Sequence, residues 1–292
     1  MDSAPVRAHQ RYASSSQVNK MSIVKTFVRH VLLFAPLLCH VSPAVAWSAD
    51  GHKIVCAVAW DELNAAALDH VETVLDVKSK QQFANLCTWA DEIRASRPYT
   101  ASWHFLNVPR DATSVDLDRD CSGPRSCVVA QIRADAAALA AKTGDAGEAL
   151  KFLAHFVGDV HQPLHVSFED DRGGNEVRGT FYKKKTNLHA VWDTGIIDHD
   201  GRTWQQIADD LEAHVTPEER SEWSASRPLD WADESLAITL APRTRYASHP
   251  DAFRLGAAYE NRNLPVVLKR LQMAGVRLGK TLNEIYQIRL DH

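Results

Sequence analysis

Two segments of this chain, His155-Phe-Val-Gly-Asp159 and His189-Ala-Val-Trp-Asp193, set a histidine and an aspartate four residues apart inside otherwise apolar helical sequence. Residues at that spacing share one face of an α-helix, so each pair aims an imidazole and a carboxylate the same way. A single pair of this kind is more often a surface ion pair or a helix cap than a ligand set. Two of them constrain the whole fold, because such groups are costly to bury unless something pairs them. His165 follows Asp159 after Gln162-Pro163, where the proline bends the chain back toward the same point. Asp91 in Thr-Trp-Ala-Asp-Glu, His104 in Trp-His-Phe, and His52 complete the set. All the donors are nitrogen or oxygen, which fits catalytic zinc with open coordination positions rather than a structural thiolate site.

A second feature lies upstream. From Met21 the chain carries Lys25, Arg29 and His30, then the apolar run Val31 to Leu38, then Ala44-Val45-Ala46. Basic, apolar and small residues in that order make a secretory signal peptide, and the run is too short for a membrane span. Met1 to Lys20 has no structural pattern and reads as an extended leader or a mis-set start. We therefore expect a leader over 1–46, with its signal peptide at 21–46, and a single mature domain over 47–292, secreted or periplasmic. Cleavage between Ala46 and Trp47 would free an α-amine with a pKa of roughly 8. With its own carbonyl oxygen that amine can chelate a metal ion, and His52 could add an imidazole.

The 246 residues that remain suffice for one well-packed domain. They hold 28 basic and 36 acidic residues, a net charge of −8. That excludes a binder of nucleic acid by bulk charge, but not a site whose metal ions carry their own positive charge. Four of the five cysteines survive cleavage. An even number in an exported chain suggests two disulfides. Cys121 and Cys127 bracket the loop sequence Ser-Gly-Pro-Arg-Ser and pair locally, which leaves Cys56 to Cys87. A four-thiolate zinc site lacks its Cys-x-x-Cys spacing.

The pattern is mostly helical. Apolar residues at helical spacing predict helix over 54–75, 127–141, 145–160, 188–197, 204–214, 229–240 and 264–282. After Gly173-Gly174, the alternation of Val177, Gly179 and Phe181 predicts a short β-hairpin over 173–185. His161 reads as a group beside the ligands or at the surface. His70, His199, His214, His249 and His292 read as solvated, and Trp89, Trp103 and Trp192 as core. Trp-Ala-Asp-Glu recurs at 231–234, with nothing around it that matches the first copy.

In order, the chain carries Trp47, Gly-His, Trp-Ala-Asp-Glu, Trp-His-Phe, His-Phe-Val-Gly-Asp, Gln-Pro-Leu-His, Gly-Gly-Asn and Asn-Leu-His-x-x-Trp-Asp. This resembles the zinc-dependent single-strand nucleases and 3'-nucleotidases of fungi, plants and bacteria, whose all-α fold is shared with bacterial zinc phospholipases C. The resemblance implies three zinc ions. Asp91, His104, His155 and Asp159 would hold the first; Trp47, His52 and the shared Asp159 the second; His165, His189 and Asp193 the third.

It also implies phosphoester hydrolysis leaving a 5'-phosphate and a free 3'-hydroxyl, on single-stranded nucleic acid and 3'-nucleotides, by a monomer with no membrane span. Asp91 would orient the attacking water and Arg94 would support the charge of the transition state. Phe105 would stack a base, which a duplex does not offer. Asn175 would touch substrate at the cleft edge. At Asn107 the fungal enzymes carry an aspartate that reads the base; an amide both donates and accepts, so base preference does not carry over. One rival is a zinc phospholipase C, whose third zinc typically takes a glutamate where this chain offers His189 and Asp193. The other is a zinc-binding protein without catalysis.

Overall fold

Side-chain caps start most of the helices. The computed structural model describes residues 47–122, 126–246 and 252–287, so the expected leader, His249 and His292 lie outside the described residues. Ser48 accepts from the Gly51 N–H to open α1 (Ala49–Asp61), and Asn64 caps α2 (Ala65–Leu75). The pattern over 54–75 is thus two helices. Asn283 causes the break: its Oδ1 accepts from the Asn64 N–H at 2.8 Å and its Nδ2 donates to the Glu62 carbonyl at 2.8 Å. Those bonds satisfy backbone groups that a continuous helix would have paired within itself.

The chain continues through α3 (Lys80–Leu86), α4 (Trp89–Glu92), 3-10 turns at Ile93–Ala95 and Pro98–His104, and strand β1 (Leu106–Val108). After the short α5 (Leu117–Asp120) come α6 (Val128–Ala141) and α7 (Ala146–Val160), both close to expectation. A 3-10 turn at Pro163–His165 leads into β2 (Val166–Phe168), which pairs parallel with β1. The hairpin forms slightly later than expected, as β3 (Arg178–Phe181) and β4 (Lys184–Asn187). Tyr182 and Lys183 join the strands with φ of 46° and 67°, the two left-handed residues of a tight hairpin turn.

From Leu188 the pattern predicts one helix, but the structure runs as α8 (Leu188–Ala190), a π turn (Val191–Gly195) and α9 (Ile196–Asp200). A π turn and an α turn carry the same apolar periodicity over so few residues, so the sequence does not separate them. The remainder is α10 (Trp204–Ala213), α11 (Pro217–Ser224), α12 (Pro228–Leu240), a 3-10 turn at Pro242–Thr244, β5 (Phe253–Leu255) and α13 (Ala257–Gln287). β5 adds parallel to β3. α13 begins seven residues before the expected Leu264 and runs through Pro265. Tertiary anchors hold its first turns: Tyr259 accepts from the Trp192 indole and donates to the Thr244 carbonyl, and Tyr182 donates to Glu260.

The result is an all-α protein edged by short strands. α7 is buried along most of its length, and α13 packs on α1. Both disulfides form as expected, Cys56–Cys87 and Cys121–Cys127. Among the described residues no helix is long and apolar enough to cross a membrane. The α1–α13 contact depends on Gly275, where a Cβ would lie 2.5 Å from Val58 Cβ and 3.0 Å from the Val55 carbonyl. Both obstacles belong to a buried helix and cannot swing away. Gly275→Ala is therefore expected to cost about 1–3 kcal/mol by overpacking, read as a lower denaturation midpoint in guanidinium. An unchanged midpoint would mean that the two helices separate freely.

Candidate metal centre

Seven elements bring the chemically active side chains together. α1 carries His52, α4 carries Asp91, and the turn Pro98–His104 ends on His104. α7 supplies His155 and Asp159, the next turn His165, α8 His189 and the π turn Asp193. π turns widen a helix locally and recur at functional sites, as here. All eight side chains except Asp91 are buried; the Asp91 side chain is 12 % exposed.

Asp159 lies at the middle. Its Oδ2 is 2.9 Å from His104 Nδ1 and 3.3 Å from His155 Nε2; its Oδ1 is 3.4 Å from His52 Nε2 and 3.6 Å from His165 Nδ1. Asp91 approaches His104 at 3.7 Å and His155 at 3.8 Å. Across the site Asp193 lies 3.2 Å from His189 Nε2 and 3.7 Å from His165 Nε2. Three groups emerge whose donor atoms lie within 4.8 Å of one another: His52, His155 and Asp159; Asp91, His104 and His155; His165, His189 and Asp193. Every side chain expected from the sequence to face a metal ion is in one of them.

Backbone carbonyls set the rings. His155 Nδ1 bonds to the Cys87 carbonyl, His165 Nδ1 to that of His104 and His189 Nδ1 to that of Gly173, each at 2.7 Å. Each bond fixes Nδ1 as the protonated nitrogen and leaves the Nε2 lone pair facing the carboxylates, the usual arrangement of a metal-binding histidine. The Cys56–Cys87 bridge anchors the first of these carbonyls to α1. Gly158 makes room for His52, since a Cβ there would lie 2.9 Å from its Nδ1. Trp47 is fully buried, with its indole donating to the Gly158 carbonyl at 2.9 Å. The Ser48 N–H donates to the Asp193 carbonyl at 2.9 Å. The residue expected to become the N-terminus is thus pinned beside both aspartates.

The electrostatics call for cations. Buried with no hydrogen-bond partner among the described residues are both ring nitrogens of His52, His104 Nε2, His165 Nε2 and Asp159 Oδ1. Orphaned buried donors and acceptors of this density are rare in a finished interior. Burial pushes the Asp193 carboxyl well above its usual range, although Gln162 donates to it. Burial, aided by the His155 charge, lowers His52 to about 4, and burial together with His165 lowers His189 to about 3. Burial opposes the charging of His155, but Asp159 and Asp91 overcome it and raise the ring to about 9. Neutral imidazoles at His52 and His189, with lone pairs free beside carboxylates, fit divalent metal ions, and His155 would give up its second proton to one.

A sequence model described as S1/P1 Nuclease matches residues 47–287, the whole of the described fold. The chain belongs to the S1/P1 nuclease family. It is 33 % identical to Endonuclease 1 of Arabidopsis thaliana over 91 % of this chain and 95 % of that protein. Nuclease P1 of Penicillium citrinum is 28 % identical over 82 % of this chain and 98 % of its own length. Nuclease S1 of Aspergillus oryzae is 26 % identical over 82 % and 91 % respectively. As an S1/P1 nuclease the chain is a hydrolase of phosphodiester bonds, and its two disulfides fit an exported protein.

In this nuclease two of the groups reach a cleft of about 670 Å³, one through His104 and the other through His165 and His189. Arg94, Phe105, Asn107 and Asn175 line it together with His104, His165 and His189. Arg94 donates to Asp91 at 3.1 Å, and Asn175 donates to the Arg172 carbonyl at 2.8 Å. The β1–β2 pair sets Phe105 and Asn107 beside the turn of His165. Sequence reasoning passed over Arg119 and Arg172, which also line the cleft, and Gln162, which holds Asp193. Arg172 was legible in part: it begins a run of three left-handed residues with Gly173 and Gly174.

Of the remaining histidines, His199 and His214 are exposed as expected, whereas His70 is half-buried and His161 wholly buried. His161 is fully buried and turned away from the ligands; Nδ1 bonds to the Val157 carbonyl and Nε2 accepts from Arg277 at 2.8 Å. His70 bonds to the Ala66 carbonyl and stacks on Tyr286, and His199 stacks on Tyr182 at 4.0 Å. His214 pairs with Asp210 at 3.3 Å. Ring stacking and i,i+4 contacts supply partners that a motif search does not see. Trp89, Trp103 and Trp192 pack as expected, the first two against Phe152. The second Trp-Ala-Asp-Glu serves packing, with Glu234 paired to Arg270 and Arg277.

The raised His155 gives the metal-free protein a proton that a metal ion must displace. Its contribution to stability is present below about pH 6.5 and is lost as pH rises through about 9. Metal loading near pH 7 is expected to release at least one proton per chain, that of His155, and affinity to fall as pH drops from about 9 to about 6. Titration calorimetry in two buffers of different ionisation enthalpy measures the release. Equal heats in both would show that His155 is neutral without metal.

Proposed function

We propose that this chain is an exported, monomeric, zinc-dependent endonuclease that cleaves single-stranded DNA and RNA to 5'-phosphate products and also acts on 3'-nucleotides. The observation that carries the reading is the junction of three buried His/Asp groups with an aromatic-edged cleft. In this reading the leader leaves at Ala46, and Trp47 offers its amine and carbonyl beside His52 and Asp159. Asp91, His104, His155 and Asp159 hold one zinc ion, and His165, His189 and Asp193 a third. Bound zinc supplies Lewis acidity, lowering the pKa of water and drawing charge from phosphate oxygens.

The chain's own groups do the positioning. Asp91, the one partly exposed member of its group and bonded to the cleft residue Arg94, accepts a hydrogen bond from the attacking water and aims it at phosphorus. The new bond forms between that oxygen and phosphorus; the bond from phosphorus to the 3'-oxygen breaks on the opposite side. The phosphate therefore stays on the 5' end of one product. Arg94, oriented by Asp91, donates to phosphate oxygens as charge builds on them. Phe105 is half-buried, with a face available for a base, and Asn107 and Asn175 supply amides to the nucleotide. A duplex keeps its base faces stacked internally, so the stacking contact selects single strands.

Protein beginning at Trp47 is expected to cut single-stranded DNA, to lose this activity to a zinc chelator and to regain it with zinc. The product ends should accept labelling only after phosphatase treatment. No cleavage by fully zinc-loaded protein would end this reading. Zinc content is expected to be three per chain and two in Asp193→Ala. Phe105→Ala should cost about 1–3 kcal/mol, a roughly 5- to 150-fold loss of kcat/KM on single strands. If kcat/KM stays unchanged in that variant, the ring belongs to the core and not to the substrate.

A further inference from the structure

The mature chain is acidic, yet Val177 to Asn187 holds Arg178, Lys183, Lys184 and Lys185 with no acid. Strand pairing sorts this segment by face. Gly179, Phe181, Phe253 and Leu255 share one side of the three-stranded sheet; Arg178, Thr180, Lys185, Asn187 and Arg254 share the other. The first side points inward: Phe181, Phe253 and Leu255 are buried, and Gly179 leaves the space that the Phe253 ring fills. The second points outward, with Arg178, Lys185 and Arg254 exposed. None of these three forms an ion pair among the described residues. Thr180 stands between Lys185 and Arg254, with Arg178 two residues before it on the same strand.

The chain ties this face to the cleft. Only Glu176 and Val177 separate Asn175, at the cleft wall, from Arg178. Arg178 pairs with Asn187, whose side chain caps the helical turn carrying His189. Adjacent strands lie about 4.8 Å apart, so the three cations form a patch able to meet successive phosphates of one strand. Like charges gathered without counter-ions on an acidic protein, beside a cleft that cleaves a polyanion, have charge complementarity with the substrate itself.

We infer that this outward sheet face is a second contact surface for single-stranded nucleic acid, on which Arg178, Lys185 and Arg254 take the phosphates of nucleotides beyond those held in the cleft. The inference rests on the nuclease reading of the metal centre. It adds binding for long strands and none for substrates that end within the cleft. Each phosphate contact to a single strand contributes about 0.7 to the salt slope of log affinity, so three contribute about 2.

The test compares wild type with a triple variant, Arg178→Ala with Lys185→Ala and Arg254→Ala. Hydrolysis of a dinucleotide reads the cleft. Fluorescence anisotropy with a long phosphorothioate-linked strand, which resists hydrolysis, reads the surface over a range of salt. The expected result is dinucleotide kcat/KM within about twofold of wild type, about tenfold weaker binding of the long strand at low salt, and a salt slope smaller by about 2. Unchanged affinity and slope for the long strand would overturn the inference. So would parallel losses on both substrates, which would mean that the charges act through the fold. Should wild type fail to hydrolyse the dinucleotide while the variant still loses strand affinity, the surface stands and the catalytic reading falls.

Discussion

One carboxylate, that of Asp159, holds this fold to its purpose. It is fully buried and meets four histidines from four segments of the chain, His52, His104, His155 and His165, at 2.9–3.6 Å. Burial alone would favour its neutral form, but the His155 charge, the hydrogen bond from His104 and the close approach of the His155 and His52 rings hold its pKa well below the usual range. Removing water from an unpaired carboxylate costs several kcal/mol. The convergence of α1, α7 and the turns at His104 and His165 is therefore a condition of placing Asp159 there at all.

The helices around the site act as a frame through their backbone. Three carbonyls, of Cys87, His104 and Gly173, fix the tautomer and tilt of three rings. Each depends on something at a distance. Cys87 is bridged to α1, His104 leads into a strand paired with β2, and Gly173 sits in a left-handed turn stapled by the Gly174 N–H to Asp171. Asp171 is in turn gripped by Arg110 and Tyr246. A disulfide, a strand pair and a buried carboxylate thus each orient one histidine.

That division explains what could be read from the sequence. The His-x-x-x-Asp pairs are local, and helix geometry alone puts both groups on one face, so the candidate ligands were legible and the structure gathers all of them. The cap residue Asp145 is local too, and the helix it opens fell close to expectation. What was not legible is whatever a distant residue imposes. Asn283 splits α1 from α2, β5 crosses from the C-terminal half to join β3, and Tyr259 carries α13 back past Pro265. The orienting carbonyls have no sequence signature, because every residue has one. Gln162 looked like part of a turn motif, yet its amide is what meets Asp193.

The charge distribution makes the proposed binding conditional. Asp91, Asp159 and Asp193 lie among the ligand groups with Arg94 and the charged His155 as cationic neighbours, so without metal ions the site has little net charge to draw a phosphate backbone. Cations seated in the three groups would give it a net positive charge and make the same carboxylates the support of an electrophilic surface. The outer sheet needs no such switch, because Arg178, Lys185 and Arg254 are exposed cations of its own. An acidic protein can therefore engage a polyanion through two local surfaces, one permanent and one created by its metal ions. Selectivity for a properly assembled enzyme follows: a strand drawn to the sheet is held at the cleft only when the groups beneath it are filled.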